Sequence, residues 1–209
     1  DAGASLTFSL ASTSSGIQAN IANAGSQVWG PAVGGHSGLS FNGVNQTVTV
    51  PKNPALDVSG AVTISTWVYR QDDGSDWRNI VDKPSSFLIE MSPGGIFRFR
   101  AENGVSPYFS ITNTSQQIPL NQWTHITATM TANGLATLYQ NGNQVSQQQF
   151  SSGVTYANSD VAIGWLASQS PGNPDTWMGK MHDFQIWDTA LNTQQVRDWL
   201  FDGEQENAD

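Results

Sequence analysis

From residue 39 onward, apolar and polar residues alternate in short runs. Val48 and Val50 alternate with Thr47 and Thr49, Val62 and Ile64 with Thr63 and Ser65, and Ile126, Ala128 and Met130 with Thr127 and Thr129. A period of two puts one set of side chains on a dry face and the other on a wet one, so each run predicts a half-buried strand. Between Leu138-Tyr139 and Val145 stands Asn141-Gly142, a two-residue hairpin signal because both residues tolerate positive φ. The period changes only near the C-terminus. Met181, Phe184, Ile186 and Trp187 read as a strand, and then Leu191, Val196, Trp199 and Leu200 recur at helical spacing. Asn192 or Thr193 can cap that helix, and Gly203 is placed to stop it. The pattern predicts an all-β chain with one short C-terminal helix.

One hairpin can be resolved to single residues. If Pro93-Gly94-Gly95 forms a three-residue loop, Glu90 lies opposite Arg98 and Leu88 opposite Arg100, while Phe87, Ile89, Met91, Phe97 and Phe99 share the other face. Tyr108, Ser110 and Thr112 alternate likewise with Phe109 and Ile111. Glu90, Arg98, Arg100 and Tyr108 would then decorate one solvent face, either as a cross-strand ion pair or as the polar floor of a ligand site.

Composition narrows the partners. The 209 residues suffice for one sizeable core, and a single domain over 1–209 is expected, excised from a larger protein. Charged residues make up only 12%, yet the net charge is -9. Such a surface repels polyanions and argues against nucleic acid. With no cysteine there is neither a disulfide framework nor thiolate chemistry. No apolar run approaches the roughly 20 residues of a membrane span, and polarity supplied by Ser, Thr, Asn and Gln suits a secreted or cell-surface module.

The strand-then-helix ending from Gly179 to Leu200, preceded in order by Leu39 to Pro51, Ala55 to Tyr69, Ile80 to Lys83, Asn121 to Met130, Ala136 to Val145 and Val161 to Trp165, resembles the laminin G-like and pentraxin-like branch of the concanavalin A-like jelly rolls. The resemblance implies a two-sheet antiparallel β-sandwich. It also implies a monomeric, noncatalytic module that recognises an extracellular glycan or peptide on another cell or matrix, as in a bacterial adhesin. A carbohydrate-active hydrolase or lyase, or its carbohydrate-binding module, is the alternative on the same fold.

Candidate chemistry lies in three places. Asp72, Asp73 and Asp76 crowd a Gly-containing loop, which suits calcium or an ordinary solvated turn. In the relatives a second loop, here containing Asn173 and Asp175 before Trp177, lies beside it and helps bind calcium that in turn holds the ligand. The chain departs from them after Ile163-Gly164, where Trp165-Leu166-Ala167-Ser168 replaces an acidic, Gln-rich run. The resemblance further implies a structural cation between Asn42 and Asp183, although Asn42 and His182 stand where Asp is usual. Of the tryptophans, Trp67, Trp123, Trp187 and Trp199 are expected in the core, whereas Trp77, Trp165 and Trp177 border polar loops and are expected either to stack on a sugar or grip a peptide or to be buried under those loops. No Glu-x-Asp-x-x-Glu motif is present. His36, His125 and His182 are scattered, so no catalytic pair or triad emerges, and His125 is expected to be an ordinary sheet residue.

Overall fold

The computed structural model describes residues 7–8, 17–18, 20–22, 29–31, 37–44, 46–101, 108–165 and 175–205. Among the described residues, sixteen strands and one α-helix follow in order, with a short 3-10 turn at Pro54–Leu56 between the sixth and seventh strands: β1 Thr7–Phe8, β2 Ile17–Gln18, β3 Asn20–Ala22, β4 Trp29–Pro31, β5 Ser37–Asn42, β6 Thr47–Val50, β7 Val62–Arg70, β8 Arg78–Lys83, β9 Phe87–Met91, β10 Phe97–Ala101, β11 Phe109–Thr112, β12 Trp123–Met130, β13 Leu135–Gln140, β14 Asn143–Gln149, β15 Val161–Ile163, β16 Met178–Trp187 and α1 Thr193–Gln205. Strands β1 and β2 pair with each other. The first large sheet has the order β11-β10-β9-β8-β15-β6-β3 and the second β14-β13-β12-β7-β16-β5-β4. The strands within each sheet pair antiparallel, and the two sheets form the expected sandwich.

The core lies between the sheets. Phe87, Ile89, Met91, Phe97, Phe99 and Ile111 from the first sheet meet Val62, Ile64, Val68, Ile126, Ala128 and Met130 from the second. The hairpin register is the one its loop demands: Glu90 pairs with Arg98 and Leu88 with Arg100. The Ser92 N–H donates to the Ile96 carbonyl at 2.8 Å, which closes the loop around Pro93-Gly94-Gly95. Gly95 cannot be replaced there. Its φ is +82°, and a Cβ would stand 2.4 Å from the Ile118 carbonyl oxygen. At the second hairpin, Asn141 and Gly142 have φ of 49° and 72°, the mirror-image turn that matches strand twist.

The helix begins as its sequence requires. The Gln195 N–H donates to Asn192 Oδ1 at 3.0 Å, and the Asn192 N–H donates back to Gln195 Oε1 at 2.9 Å, a reciprocal cap that satisfies two orphan donors. It does not stop at Gly203 but continues to Gln205. The helix lies over the outer face of the second sheet, where Ser65, His125, Thr127, Trp187, Leu191, Val196 and Trp199 form the seam.

Two expectations about tryptophan are corrected by strand parity. Val68 faces the core, so its neighbours Trp67 and Tyr69 face outward; Thr124 and Ile126 point inward, so Trp123 and His125 also face outward. Trp67 and Trp123 are half-buried on that outer face, not core residues. Trp187 is buried beneath α1, and Trp199, packed edge-on against it at 5.5 Å, remains 39% exposed.

Candidate functional site

Register across the first sheet sets out a polar outer face. Asn79, Glu90, Arg98 and Thr112 stand side by side in one row, and Asp82, Leu88, Arg100 and Ser110 in the next. Ala162 and Thr49 continue the second row on the other side of Asp82. Although they point away from the core, Asn79, Asp82, Leu88 and Glu90 are all buried. The face is recessed.

Glu90 is its anchor. The Arg98 Nε donates to Glu90 Oε1 at 2.8 Å and its Nη2 donates to the same oxygen, while Arg100 Nη1 approaches it at 3.5 Å. Each guanidinium also lies on an aromatic ring, Arg98 over Trp77 at 3.7 Å and Arg100 over Tyr108 at 4.8 Å. The trio carries one net positive charge. Its arginines keep about a quarter of their side-chain surface exposed, at 25% and 23%, and Tyr108 is 42% exposed. Fixed in this way, two planar donors and an exposed ring face outward with their entropy already spent.

The acidic loop meets this face at Trp77. The Trp77 N–H donates to Asp76 Oδ1 at 2.8 Å, while the ring covers Arg98. Asp72 Oδ2 accepts from Arg78 Nη2 at 2.6 Å, and Nη1 of the same arginine donates to the Thr176 carbonyl at 3.0 Å. The Asn79 N–H donates to the Asp175 carbonyl at 2.7 Å. The loop holding Asp72 and the segment starting at Asp175 therefore lie side by side. Asn173 lies outside the described residues.

The carboxylates of this edge do not converge on a cation. Asp73 turns to Arg70 at 2.7 Å, Asp72 to Arg78, and Asp76 to the backbone N–H of Trp77. Among the described residues no group of three or more His, Cys, Asp or Glu side chains is placed to hold a metal. Calcium takes six to eight oxygens, and Asp72 and Asp73 would have to give up their arginines to supply theirs. Register bears on the second expected cation site. Asn42 pairs with Met178, five residues before Asp183, so the two lie roughly 17 Å apart along β16. Each is used locally: Asn42 Oδ1 accepts from the N–H groups of Val44 and Gln46, and Asp183 Oδ1 accepts from Gln185.

The loop tryptophans divide. Trp77 belongs to the face; Trp165 is half-buried beside Gly164. Trp177 takes the buried alternative, 1% exposed and among the largest fully buried side chains, its backbone N–H donating to the Gly164 carbonyl at 2.8 Å. His125 is a buried sheet residue as expected, its Nε2 2.7 Å from Ser65 Oγ, with burial lowering its pKa to about 3. Asn79 and Asp82 are face residues that motif reasoning passed over. Their signal was the pairing of β8 with β9, which sequence alone does not show.

Comparison with known proteins returns one consistent picture. A family model described as concanavalin A-like lectin/glucanases superfamily matches residues 42–197. Domain 4 of AbnA, a GH43 extracellular arabinanase from Geobacillus stearothermophilus, in complex with arabinotriose, superposes with TM-score 0.66 at 23% identity, covering 87% of each chain. The binding domain of Paraclostridial Mosquitocidal Protein 1 superposes with TM-score 0.70 at 19% identity over 88% of this chain. The binding domain of botulinum neurotoxin DC, in complex with rat synaptotagmin II, does so with TM-score 0.67 at 16% identity over 90%. This chain spans about half the length of the two toxin domains, 47% in each case. No curated protein matches by sequence.

Proposed function

Because the chain belongs to the concanavalin A-like lectin/glucanases superfamily, we propose that it is a noncatalytic module of a secreted or cell-surface protein, binding an extracellular glycan on the outer face of the first sheet. One observation carries the reading: Arg98 and Arg100 are fixed by the buried Glu90, and each is laid on an aromatic ring. Sugar hydroxyls accept hydrogen bonds from guanidinium edges, and the C–H faces of a sugar pack on exposed aromatic surface. Asn79 and Asp82 add a donor and acceptors to the floor. The AbnA domain, similar over 87% of both chains, holds arabinotriose, which supports a sugar ahead of the protein receptor carried by the toxin domain.

A hydrolase would have to use Glu90 with Asp82, diagonal neighbours about 7–8 Å apart on the same face. Glu90 Oε1 already accepts from the Arg98 guanidinium and lies 3.5 Å from that of Arg100, which suits an anionic anchor and not a proton donor.

Calorimetric titration with a panel of neutral oligosaccharides, arabino-oligosaccharides included, tests this reading. Binding is expected to disappear in Arg100→Ala and Trp77→Ala, to survive Asp73→Ala, and to be indifferent to chelator. Retention of full affinity in both Arg98→Ala and Arg100→Ala would overturn the site. Release of new reducing ends, abolished by Glu90→Gln, would replace the binding module with an enzyme.

A further inference from the structure

Among the described residues, the outer face of the second sheet is only half covered. Helix α1 lies over the rows that contain Ser65, Thr127 and Trp187. Beyond them, Trp123, Tyr69, Lys180 and Ser40 stand in one cross-strand row, and His125, Trp67 and His182 in the row next to the helix. Met178, two residues before Lys180 on the same face, is 36% exposed. The rings touch one another: Tyr69 and Trp123 are 5.4 Å apart, and Trp123 and His182 6.5 Å apart. Trp67, Tyr69, Trp123, Lys180 and His182 all remain half-exposed.

Lys180 gives the patch its chemistry. The chain has eight Lys and Arg against 17 Asp and Glu. Arg70, Arg78, Lys83, Arg98 and Arg100 are each in an ion pair, and Arg197 binds the hairpin at Gly142 and Asn143. Lys52 is fully on the surface. Lys180 alone is a half-buried cation whose contact is an aromatic ring, Tyr69 at 5.3 Å. In so acidic a chain, a cation held among rings without a carboxylate is an unmatched charge at an otherwise apolar surface.

We infer that this patch docks an acidic segment of a partner polypeptide, placing an Asp or Glu carboxylate on Lys180 and an adjacent apolar side chain against Trp123, Tyr69 and Met178. Size argues for a short segment. Four strands about 4.8 Å apart and three rows about 7 Å apart span about 200 Å², well short of the roughly 800 Å² per partner that a stable dimer buries. Composition argues for a polypeptide. Trp, Tyr and Met are the side chains enriched at protein interfaces, and an exposed thioether offers nothing to a sugar's hydroxyls. Charge steers the encounter, because the patch is a positive point on a chain whose net charge is -9.

Panning a phage-displayed library of random dodecapeptides against the intact chain tests the inference, with enriched sequences resynthesised and measured by fluorescence anisotropy. Enriched peptides are expected to carry Asp or Glu next to an apolar residue. Their affinity should fall about tenfold or more in Trp123→Ala, as loss of an aromatic anchor does, and in Lys180→Gln, which should also flatten the salt dependence. Arg98→Ala should leave it unchanged, which separates this surface from the glycan site. Because Lys180 is half-exposed, its variant remains informative even if Trp123→Ala fails to fold. The inference is overturned by a library that yields no enrichment, by peptides that bind Lys180→Gln as tightly as wild type, by a neutral oligosaccharide whose binding needs Lys180, or by light scattering that shows a dimer dissolved by Lys180→Gln.

Discussion

Acid should loosen this fold well above the range in which its carboxylates titrate, and the cause is one imidazole. His125 is 1% exposed, enclosed by Ser65, Thr127 and the helix residues of the seam, and its Nδ1 has no partner. Burial lowers its pKa from 6.5 to about 3, because none of the side chains lining that seam is a carboxylate that could offset a buried imidazolium. A depressed folded pKa means that the unfolded chain binds the proton first. The associated stability is therefore complete above pH 6.5 and lost as pH falls from there toward about 3. Between pH 7 and pH 5 the linkage relation gives a loss of about 2 kcal/mol, growing to about 5 kcal/mol below pH 3. For a chain of this length the loss between pH 7 and 5 corresponds to a Tm drop of about 4–8 °C. Scanning calorimetry on wild type and His125→Gln isolates the effect, since His36 and His182 are present in both. The variant should be less stable at neutral pH yet nearly flat between pH 7 and 5. Equal slopes in the two proteins would refute the assignment of the acid sensitivity to the helix seam.

Two further outcomes follow from local geometry. Millimolar calcium or EDTA should leave Tm unchanged in differential scanning fluorimetry, because Asp72 and Asp73 are each held by an arginine; a calcium-dependent rise would show that the ion displaces Arg78 or Arg70. Asn192→Ala should cost about 1 kcal/mol of stability by removing half of the reciprocal helix cap, and chemical denaturation that shows no change would mean that α1 is held by its packing alone.

The sheet hairpins were legible residue by residue because two local signals agreed there. Alternation assigned Phe87, Ile89 and Met91 to one face, and the glycines of the loop fixed the register. The same alternation carried the positions of Trp67 and Trp123, which counting them as large apolar residues obscured. Extending the parity of Val62 and Ile64 through Val68 leaves Trp67 and Tyr69 no choice but the outer face. At the acidic loop, Arg70 and Arg78 flank the aspartates in sequence, so the means of neutralising Asp73 and Asp72 without a cation was within view. The burial of Trp177 was not. It depends on the backbone bond to Gly164 and on the parallel bridge from Asn79 to Thr176, contacts between segments far apart in sequence.

The distribution of amino groups has a practical consequence. The chain carries three lysines, Lys52, Lys83 and Lys180. The ammonium of Lys83 is sealed inside, donating to the Ser159 carbonyl at 2.8 Å with Asp57 Oδ1 3.7 Å away, and burial lowers its pKa, yet no reagent in solution can reach it while the fold is intact. Coupling the protein to a sensor chip or a fluorophore through its lysines therefore modifies Lys52 or Lys180. Attachment at Lys180 turns the aromatic half of the second sheet toward the support and abolishes the charge beside Tyr69, leaving the arginine face of the first sheet untouched. A lysine-coupled preparation is thus a mixture in which the arginine face stays open and the aromatic patch is partly blocked, and in a Lys180→Arg protein lysine coupling would be confined to Lys52.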